Sequence, residues 1–200
     1  MGAETGTARL FVGLMLPDGL AAALEQAVAG VLAPAGRGLR RVRASELHLS
    51  LAFLGDVERE RVEQLGQALE RALAASPAPA LELVRGGTFP ERGRPRVWWI
   101  GLAERAGTEG RLAALAARVA GAVGRERGAR EPFRAHLTVA RTRGRGAPPE
   151  VESAFRALRP AGGWRPRSAA LVESRLDRPE ARYRTLRELP LAPDPCGAEG

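Results

Sequence analysis

The sequence contains two near copies of one five-residue pattern, His48-Leu49-Ser50-Leu51-Ala52 and His136-Leu137-Thr138-Val139-Ala140. Each copy alternates polar and apolar side chains, which predicts a half-buried β-strand. Side chains two positions apart lie on the same side of a strand, so each strand presents one imidazole and one hydroxyl together. The two copies contain both histidines of the 200-residue chain. We therefore expect the two strands to contribute to a single site.

The residue types in this pattern suit acid/base chemistry on a phosphate. Imidazole has an ordinary pKa of about 6.5, so two imidazoles that face one ligand can divide the roles of proton donor and proton acceptor. Hydroxyl groups donate hydrogen bonds to phosphate oxygens. A single histidine on an apolar strand is more often structural, but the duplication favours a shared site. We take His48 and His136 as candidate catalytic residues, and Ser50 and Thr138 as candidate substrate-binding residues.

The charge of the chain favours an anionic partner. All 31 basic residues are arginines, and with 23 acidic residues they give a net charge of +8. Arginine binds phosphate through two parallel hydrogen bonds. Arginines cluster beside both patterns, at Arg37, Arg40, Arg41 and Arg43 before the first, and at Arg130, Arg134, Arg141, Arg143 and Arg145 around the second. These clusters indicate phosphate or nucleic acid as the partner.

Several other classes of protein do not fit the sequence. A metal site needs clustered ligands, and two histidines, one cysteine and no HExxH or CxxC motif predict none. The sequence has no G-x-S-x-G nucleophile elbow and no dinucleotide or Walker motif, so we expect no cofactor. We also expect no membrane span. The lone Cys196 cannot form an internal disulfide, which favours the cytoplasm.

The predicted elements repeat in two similar halves. Each half runs strand, helix, motif strand, helix, and residues 76–80 break the pattern between them. The predicted strands are Arg9–Leu16, Leu47–Leu54, Leu81–Arg85, Arg96–Leu102, Phe133–Arg141, Ala169–Ser174 and Tyr183–Leu189, and the predicted helices are Asp18–Leu32, Val57–Ala75, Thr108–Val123 and Pro149–Leu158. We predict one domain over residues 1–189 and a flexible C-terminal tail over 190–200. Folding the halves together would place the motif strands on opposite walls of one groove.

Five segments carry a resemblance to a known family. They are Arg9-Leu-Phe-Val-Gly-Leu-Met-Leu-Pro, Glu46-Leu-His-Leu-Ser-Leu-Ala-Phe-Leu-Gly-Asp, Phe89-Pro with Arg94-Pro-Arg-Val-Trp-Trp-Ile-Gly, Pro132-Phe-Arg-Ala-His-Leu-Thr-Val-Ala-Arg, and Glu173-Ser-Arg-Leu with Tyr183-Arg-Thr-Leu. In these segments the chain resembles the RNA 2′,3′-cyclic phosphodiesterases, also named 2′-5′ RNA ligases, of the two-histidine phosphoesterase superfamily. The resemblance implies an α+β fold of two pseudo-symmetric βαβ-like lobes around a central groove.

The resemblance also implies an activity, the metal-independent hydrolysis of RNA 2′,3′-cyclic phosphate ends to 2′-phosphates. In the implied mechanism His136 is the general base that activates water, and His48 is the general acid that protonates the leaving 3′ oxygen. The pseudo-symmetric sequence alone does not distinguish these roles. The implied partner is RNA with a 2′,3′-cyclic phosphate end, tRNA fragments included, and the enzyme is expected to be a cytoplasmic monomer.

Arg141 is a further candidate for substrate binding, although strand parity argues against it. In a regular strand Arg141 has the parity of Leu137 and Val139, so it would point away from the histidines. A bulge or the strand end would re-aim it. Phe53 holds the equivalent place after the first pattern, and we interpret it as a core residue.

Three alternative functions remain open at this point. The same two histidines would serve the reverse reaction, in which a 2′,3′-cyclic phosphate joins a 5′-hydroxyl to form a 2′-5′ linkage. A phosphodiesterase of small cyclic nucleotides is a second alternative, and the positive net charge favours RNA over it. A non-catalytic RNA-binding module is a third, and the intact histidines in both patterns argue against it.

Overall fold

The computed structural model describes residues 6–124, 133–175 and 182–193 of the chain. Its strands are β1 (Thr7–Met15), β2 (Leu39–Arg41), β3 (His48–Glu58), β4 (Leu81–Phe89), β5 (Val97–Glu104), β6 (His136–Thr142), β7 (Gly163–Trp164), β8 (Ser168–Ser174) and β9 (Tyr183–Pro190). Its helices are α1 (Asp18–Leu32), α2 (Arg59–Leu73), α3 (Arg111–Ala122) and α4 (Pro149–Ala157), with 3-10 segments at Ala33–Gly38 and Ala44–Glu46. The predicted α+β class is confirmed.

The strands form one antiparallel sheet in the order β7-β4-β5-β6-β3-β1-β8-β9, with β2 paired to β6 outside this order. The strands β7, β4, β5 and β6 form one lobe, and β3, β1, β8 and β9 form the other. The two lobes are related by a pseudo-two-fold axis between β6 and β3. This confirms the predicted bilobal arrangement. The motif strands are not on opposite walls, however: β3 and β6 are neighbours that pair at Leu49 and Leu137, because the sheet is continuous across the two lobes.

The helices cover one side of the sheet because each has an apolar face. The buried residues of α1 and α2 are Ala21, Leu24, Val28, Leu32, Gly66, Leu69 and Leu73. All of them except Gly66 belong to the same core as Leu10, Val12 and Leu14 of β1. Phe11 alternates with these residues and belongs to a separate small cluster with Val172. The side of the sheet away from the helices therefore has its own apolar surface.

Residues 18–38 are long and apolar enough by composition to be a candidate membrane span. In the structure this segment is α1 followed by a separate 3-10 segment, which is interrupted at Gly36 (φ 52°, ψ −126°). The 15 residues of α1 extend about 22 Å, which is shorter than a hydrocarbon core of about 30 Å. Their buried face packs in the protein core. We therefore interpret α1 as a core helix.

The structure differs from the predicted element boundaries at several places. β3 continues past the predicted Leu54 to Glu58, and the unpredicted short strands β2 and β7 add to the sheet. β9 extends to Pro190, and Leu191 is buried with its N–H donating to the carbonyl oxygen of Arg167 at 3.0 Å, so regular packing continues past residue 189. Residues 194–200 with Cys196, and Arg130 of the second arginine cluster, lie outside the described residues.

Candidate active site

The four polar residues of the two patterns lie together on one side of the sheet. Leu49 and Leu137 are register partners and are buried in the core. The polar residues that flank these leucines therefore point to the opposite side, which we call the histidine side. Extending the antiparallel register by one residue on each side of the Leu49–Leu137 pair sets His48 across from Thr138 and Ser50 across from His136. One hydroxyl thus faces each imidazole from the neighbouring strand.

Both imidazoles are held in the same way by the backbone. Nδ1 of His48 lies 2.7 Å from the carbonyl oxygen of Glu46, and Nδ1 of His136 lies 2.7 Å from the carbonyl oxygen of Arg134. A carbonyl oxygen only accepts hydrogen bonds, so Nδ1 carries the proton in both rings. Nε2 is then the atom that accepts or donates a proton towards a ligand. The two histidines are equivalent in this respect.

Aromatic rings fix the orientation of each imidazole. Phe11 stacks on His48 with ring centroids 4.5 Å apart, and Tyr183 contacts the same imidazole edge-on at 5.2 Å. In the other lobe Phe89 contacts His136 edge-on at 5.2 Å. The sequence alone does not identify these supporting rings, because their contacts depend on strands that are distant in the chain.

A β-bulge in β6 places Arg141 on the histidine side. Trp99 pairs with Thr138, but Trp98 pairs with Ala140, so Val139 is the extra residue. Val139 and Ala140 are consequently both buried. The parity of the strand reverses after them, and Arg141 is exposed on the same side as the histidines. A substrate-binding role for Arg141 requires such a bulge, because a regular strand would turn its side chain away from the histidines.

An equivalent bulge in β3 places Phe53 on the histidine side. Gly13 pairs with Ser50, but the preceding residue of β1 pairs with Ala52, which makes Leu51 the extra residue. Leu51 and Ala52 are both buried, and Phe53 is 66% exposed. The interpretation of Phe53 as a core residue is therefore wrong. The sequence does indicate this bulge, because the adjacent apolar residues Leu51 and Ala52 interrupt the alternation of polar and apolar side chains.

The site favours neutral imidazoles in the absence of a ligand. Burial is the largest cause that lowers the pKa of His48, and the positive charges of His136 and Arg141 lower this pKa further. Burial is also the largest cause that lowers the pKa of His136, and Arg141 and Arg134 add to the effect. The hydrogen bonds to the carbonyl oxygens raise both pKa values in part. A bound anion would offset the surrounding positive charge and favour protonation.

Metal ligands are scarce around this site. Within the described ranges of the chain, no group of three or more His, Cys, Asp or Glu side chains is placed to hold a metal ion. The positive charge near the imidazoles comes from arginine instead, with Arg141 and Arg134 close enough to affect the histidine pKa values. The arrangement can accept and donate protons at two Nε2 atoms beside hydroxyl donors and a guanidinium.

The chain is similar to several known proteins over most of its length. An RNA 2′,3′-cyclic phosphodiesterase of Thermus thermophilus is 37% identical over 180 residues, which cover 84% of this chain and 82% of that protein. One of Aeropyrum pernix is 29% identical over 163 residues, covering 80% of this chain and 91% of that protein. A crystal structure of a Thermus thermophilus protein superposes with a TM-score of 0.72 at 28% identity, covering 92% of this chain and 97% of that one.

The family assignment rests on a match over most of the chain. The structure of Escherichia coli LigT complexed with ATP superposes with a TM-score of 0.70 at 25% identity, covering 93% of this chain and 99% of that one. The family model described as the 2′-5′ RNA ligase superfamily matches residues 16–178, which include both histidine patterns. The chain therefore belongs to the 2′-5′ RNA ligase superfamily.

Proposed function

We propose that this protein is an RNA 2′,3′-cyclic phosphodiesterase that uses its two histidines as a general acid/base pair without a metal. The main support for the proposal is the equivalent placement of His48 and His136. Nδ1 of each imidazole is bound to a backbone carbonyl oxygen, and a hydroxyl residue lies across from each histidine on the neighbouring strand. The relatives that match most of the chain are named for this activity. Both imidazoles are on one side of the sheet and on neighbouring strands, which supports binding of a single phosphate between them.

The proposed reaction is an in-line displacement at phosphorus. Nε2 of His136 takes a proton from water as its oxygen forms a bond to phosphorus, and Nε2 of His48 gives a proton to the 3′ oxygen as its bond to phosphorus breaks. The product carries a 2′-phosphate and a free 3′-hydroxyl. Ser50 and Thr138 donate hydrogen bonds to the non-bridging oxygens, and Arg141 stabilises the negative charge that develops there. The assignment of acid and base follows the family resemblance.

The proposed substrate is RNA that ends in a 2′,3′-cyclic phosphate, including tRNA fragments. The net charge of +8 and the arginines beside both patterns favour a polyanion over a small nucleotide. We propose a monomer, because one chain supplies both histidines and both hydroxyl residues of the site, and a cytoplasmic location, because the lone Cys196 cannot form an internal disulfide. The same pair also supports the reverse reaction, in which a 5′-hydroxyl of a second RNA takes the place of water and a 2′-5′ linkage forms.

The direct test is to incubate the purified protein with RNA ending in a 2′,3′-cyclic phosphate, in the presence of EDTA, and to identify the product by 31P NMR. We expect a 2′-phosphate monoester. The double variant His48→Ala/His136→Ala, purified in the same way, controls for contaminating activity. Loss of hydrolysis in EDTA with rescue by a divalent ion, or a 3′-phosphate product, would contradict the proposal.

A substrate with sulfur in place of the 3′ oxygen tests which histidine is the acid. A thiol is much more acidic than an alcohol, with an ordinary pKa of about 8.5 for cysteine, so the thiolate leaves without protonation. The activity lost in His48→Ala should largely return with this substrate, whereas the loss in His136→Ala should persist. Recovery in His136→Ala instead would reverse the assignment of acid and base.

A further inference from the structure

The short edge strand β2 brings a second arginine to the histidine side of the sheet. β2 pairs with the part of β6 that lies beyond the bulge, and Arg40 is the register partner of Arg141. Directly opposite residues of an antiparallel pair project on the same side of the sheet. Because the bulge places Arg141 on the histidine side, Arg40 projects on that side as well. The two guanidinium groups therefore extend the site along β6, away from His136.

This pair is unfavourable in the absence of an anion. Like charges on directly opposite residues destabilise an antiparallel sheet. Within residues 6–124, 133–175 and 182–193, neither Arg40 nor Arg141 has a hydrogen bond or an ion pair to a side chain. Glu46 is the acidic group whose charge acts on Arg40, but its carboxylate is bound to Arg43 at 2.7 Å. The pair thus offers two donors for an anion that no side chain in the described part of the chain supplies.

The surroundings of Arg40 add to this excess of positive charge. Arg40 is half-buried, and burial is the largest cause that lowers its pKa. The charges of Arg182, Arg143 and Arg141 lower this pKa further. A partly desolvated guanidinium among three others is a site where a phosphate relieves repulsion and accepts hydrogen bonds from a planar fork.

We propose that Arg40 is a specificity-determining residue that binds the phosphodiester on the 5′ side of the terminal nucleotide, while Arg141 lies between this group and the cyclic phosphate. The inference rests on the proposed function, since it concerns the same RNA end. A nucleoside 2′,3′-cyclic phosphate has one phosphate and cannot occupy both places. An oligonucleotide has a second phosphate one nucleoside away, and its binding to Arg40 selects RNA ends over mononucleotides.

Arg41 provides a matched control on the same strand. Its register partner is Ala140, which is buried in the core, so Arg41 projects on the helix side of the sheet. There it lines a small cavity with Leu24 and Val28 of α1. Replacing Arg41 therefore removes one positive charge from β2 without removing a group from the histidine side.

The test compares kcat/KM for an oligoribonucleotide ending in a 2′,3′-cyclic phosphate with kcat/KM for the corresponding nucleoside 2′,3′-cyclic phosphate. Arg40→Ala should lower the oligonucleotide value by roughly 10-fold to 100-fold, because it removes a hydrogen bond to a charged group, and the loss with the nucleoside should be at least about tenfold smaller. Arg40→Lys should retain part of the preference for the oligonucleotide over the nucleoside 2′,3′-cyclic phosphate. Arg41→Ala should leave this preference unchanged. The salt slope for oligonucleotide binding should fall by about 0.7 in Arg40→Ala.

The outcomes separate this inference from the proposed function. If the wild-type protein hydrolyses neither substrate, the proposed function fails and the inference fails with it. If the wild-type protein hydrolyses cyclic phosphates but Arg40→Ala loses the same factor on both substrates, or loses nothing on either, only the role of Arg40 is overturned. Circular dichroism of Arg40→Ala and Arg40→Lys verifies that the compared variants are folded.

Discussion

Phe53 and Arg141 occupy equivalent positions in the two lobes, each five residues after a histidine and each turned to the histidine side by a bulge. The bulged residues Leu51 and Val139 and the alanine after each are buried, so the two strands are distorted in the same way. The pseudo-two-fold symmetry of the site is broken here, because one lobe presents an aromatic ring and the other a guanidinium. Negative charge on a bound phosphate is therefore favoured on the Arg141 side.

Removing the charge of Arg141 should raise the pKa of both histidines. Arg141 lowers both values in the free protein, so in Arg141→Gln protonation becomes easier and each ring titrates at a higher pH. The acidic limb of the pH profile of kcat/KM reports the pKa of the general base in the free enzyme. We expect this limb below the ordinary imidazole value of about 6.5 in the wild type and at higher pH in Arg141→Gln. With only two histidines in the chain, NMR titration of the ring protons measures both values directly.

The control for this titration is Arg41→Gln, which removes a positive charge from the helix side of β2. Neither histidine should change its pKa in that variant. Unchanged or lower values in Arg141→Gln would show that Arg141 does not act electrostatically on the imidazoles.

Gly13 is required beside His48 because two strands approach closely there. A Cβ atom at this position would lie 2.9 Å from the carbonyl oxygen of Leu49 and 3.3 Å from the ring of Phe11. Gly13→Ala should therefore shift β1 against β3, lower the free energy of unfolding by roughly 1–3 kcal/mol and reduce kcat by displacing the ring that stacks on His48. Chemical denaturation and steady-state kinetics measure the two effects.

Gly30→Ala in α1 is the matched substitution, since a Cβ at that position meets no atom within 4 Å. It should stabilise the protein by roughly 0.5–1 kcal/mol, because alanine favours a helix over glycine, and should leave kcat unchanged. Wild-type stability and kcat in Gly13→Ala would contradict the close approach of β1 and β3.

The hydroxyl residues should contribute mainly to kcat. Ser50 and Thr138 lie across from the opposite histidines, where they can donate to oxygens that gain charge during the displacement. Thr138→Val keeps the shape of the side chain and removes the donor, so kcat should fall on the order of 10²-fold. Thr138→Ser keeps the donor and should retain most of the activity. A wild-type kcat in Thr138→Val would exclude this role for the hydroxyl.

Much of this fold and site follows from sequence because it depends on local periodicity. The alternation in the two patterns predicted that His48 and His136 share a side with a hydroxyl, and the strands β3 and β6 have that geometry. The apolar spacing in Asp18–Leu32 predicted α1 with its observed bounds. These features need no knowledge of which strands become neighbours.

The remaining features depend on pairing between distant segments. A bulge exists only relative to a partner strand, so the orientation of Phe53 and Arg141 required the register of β1 and β5. The three-residue strand β2 lies in an arginine-rich segment whose composition resembles a solvated loop, and pairing with β6 alone makes it a strand. The position of Arg40 was unpredictable for the same reason.

In the proposed function His48 and His136 act as one acid/base unit on a cyclic phosphate. The most direct measurement is kcat for an RNA 2′,3′-cyclic phosphate with His48→Ala, His136→Ala and the double variant, each shown to be folded and to bind RNA. Each single variant should lose a factor on the order of 10² to 10⁴, and the double variant should be little worse, because groups that act as a unit are non-additive. Near-wild-type turnover in either folded single variant would contradict the claim.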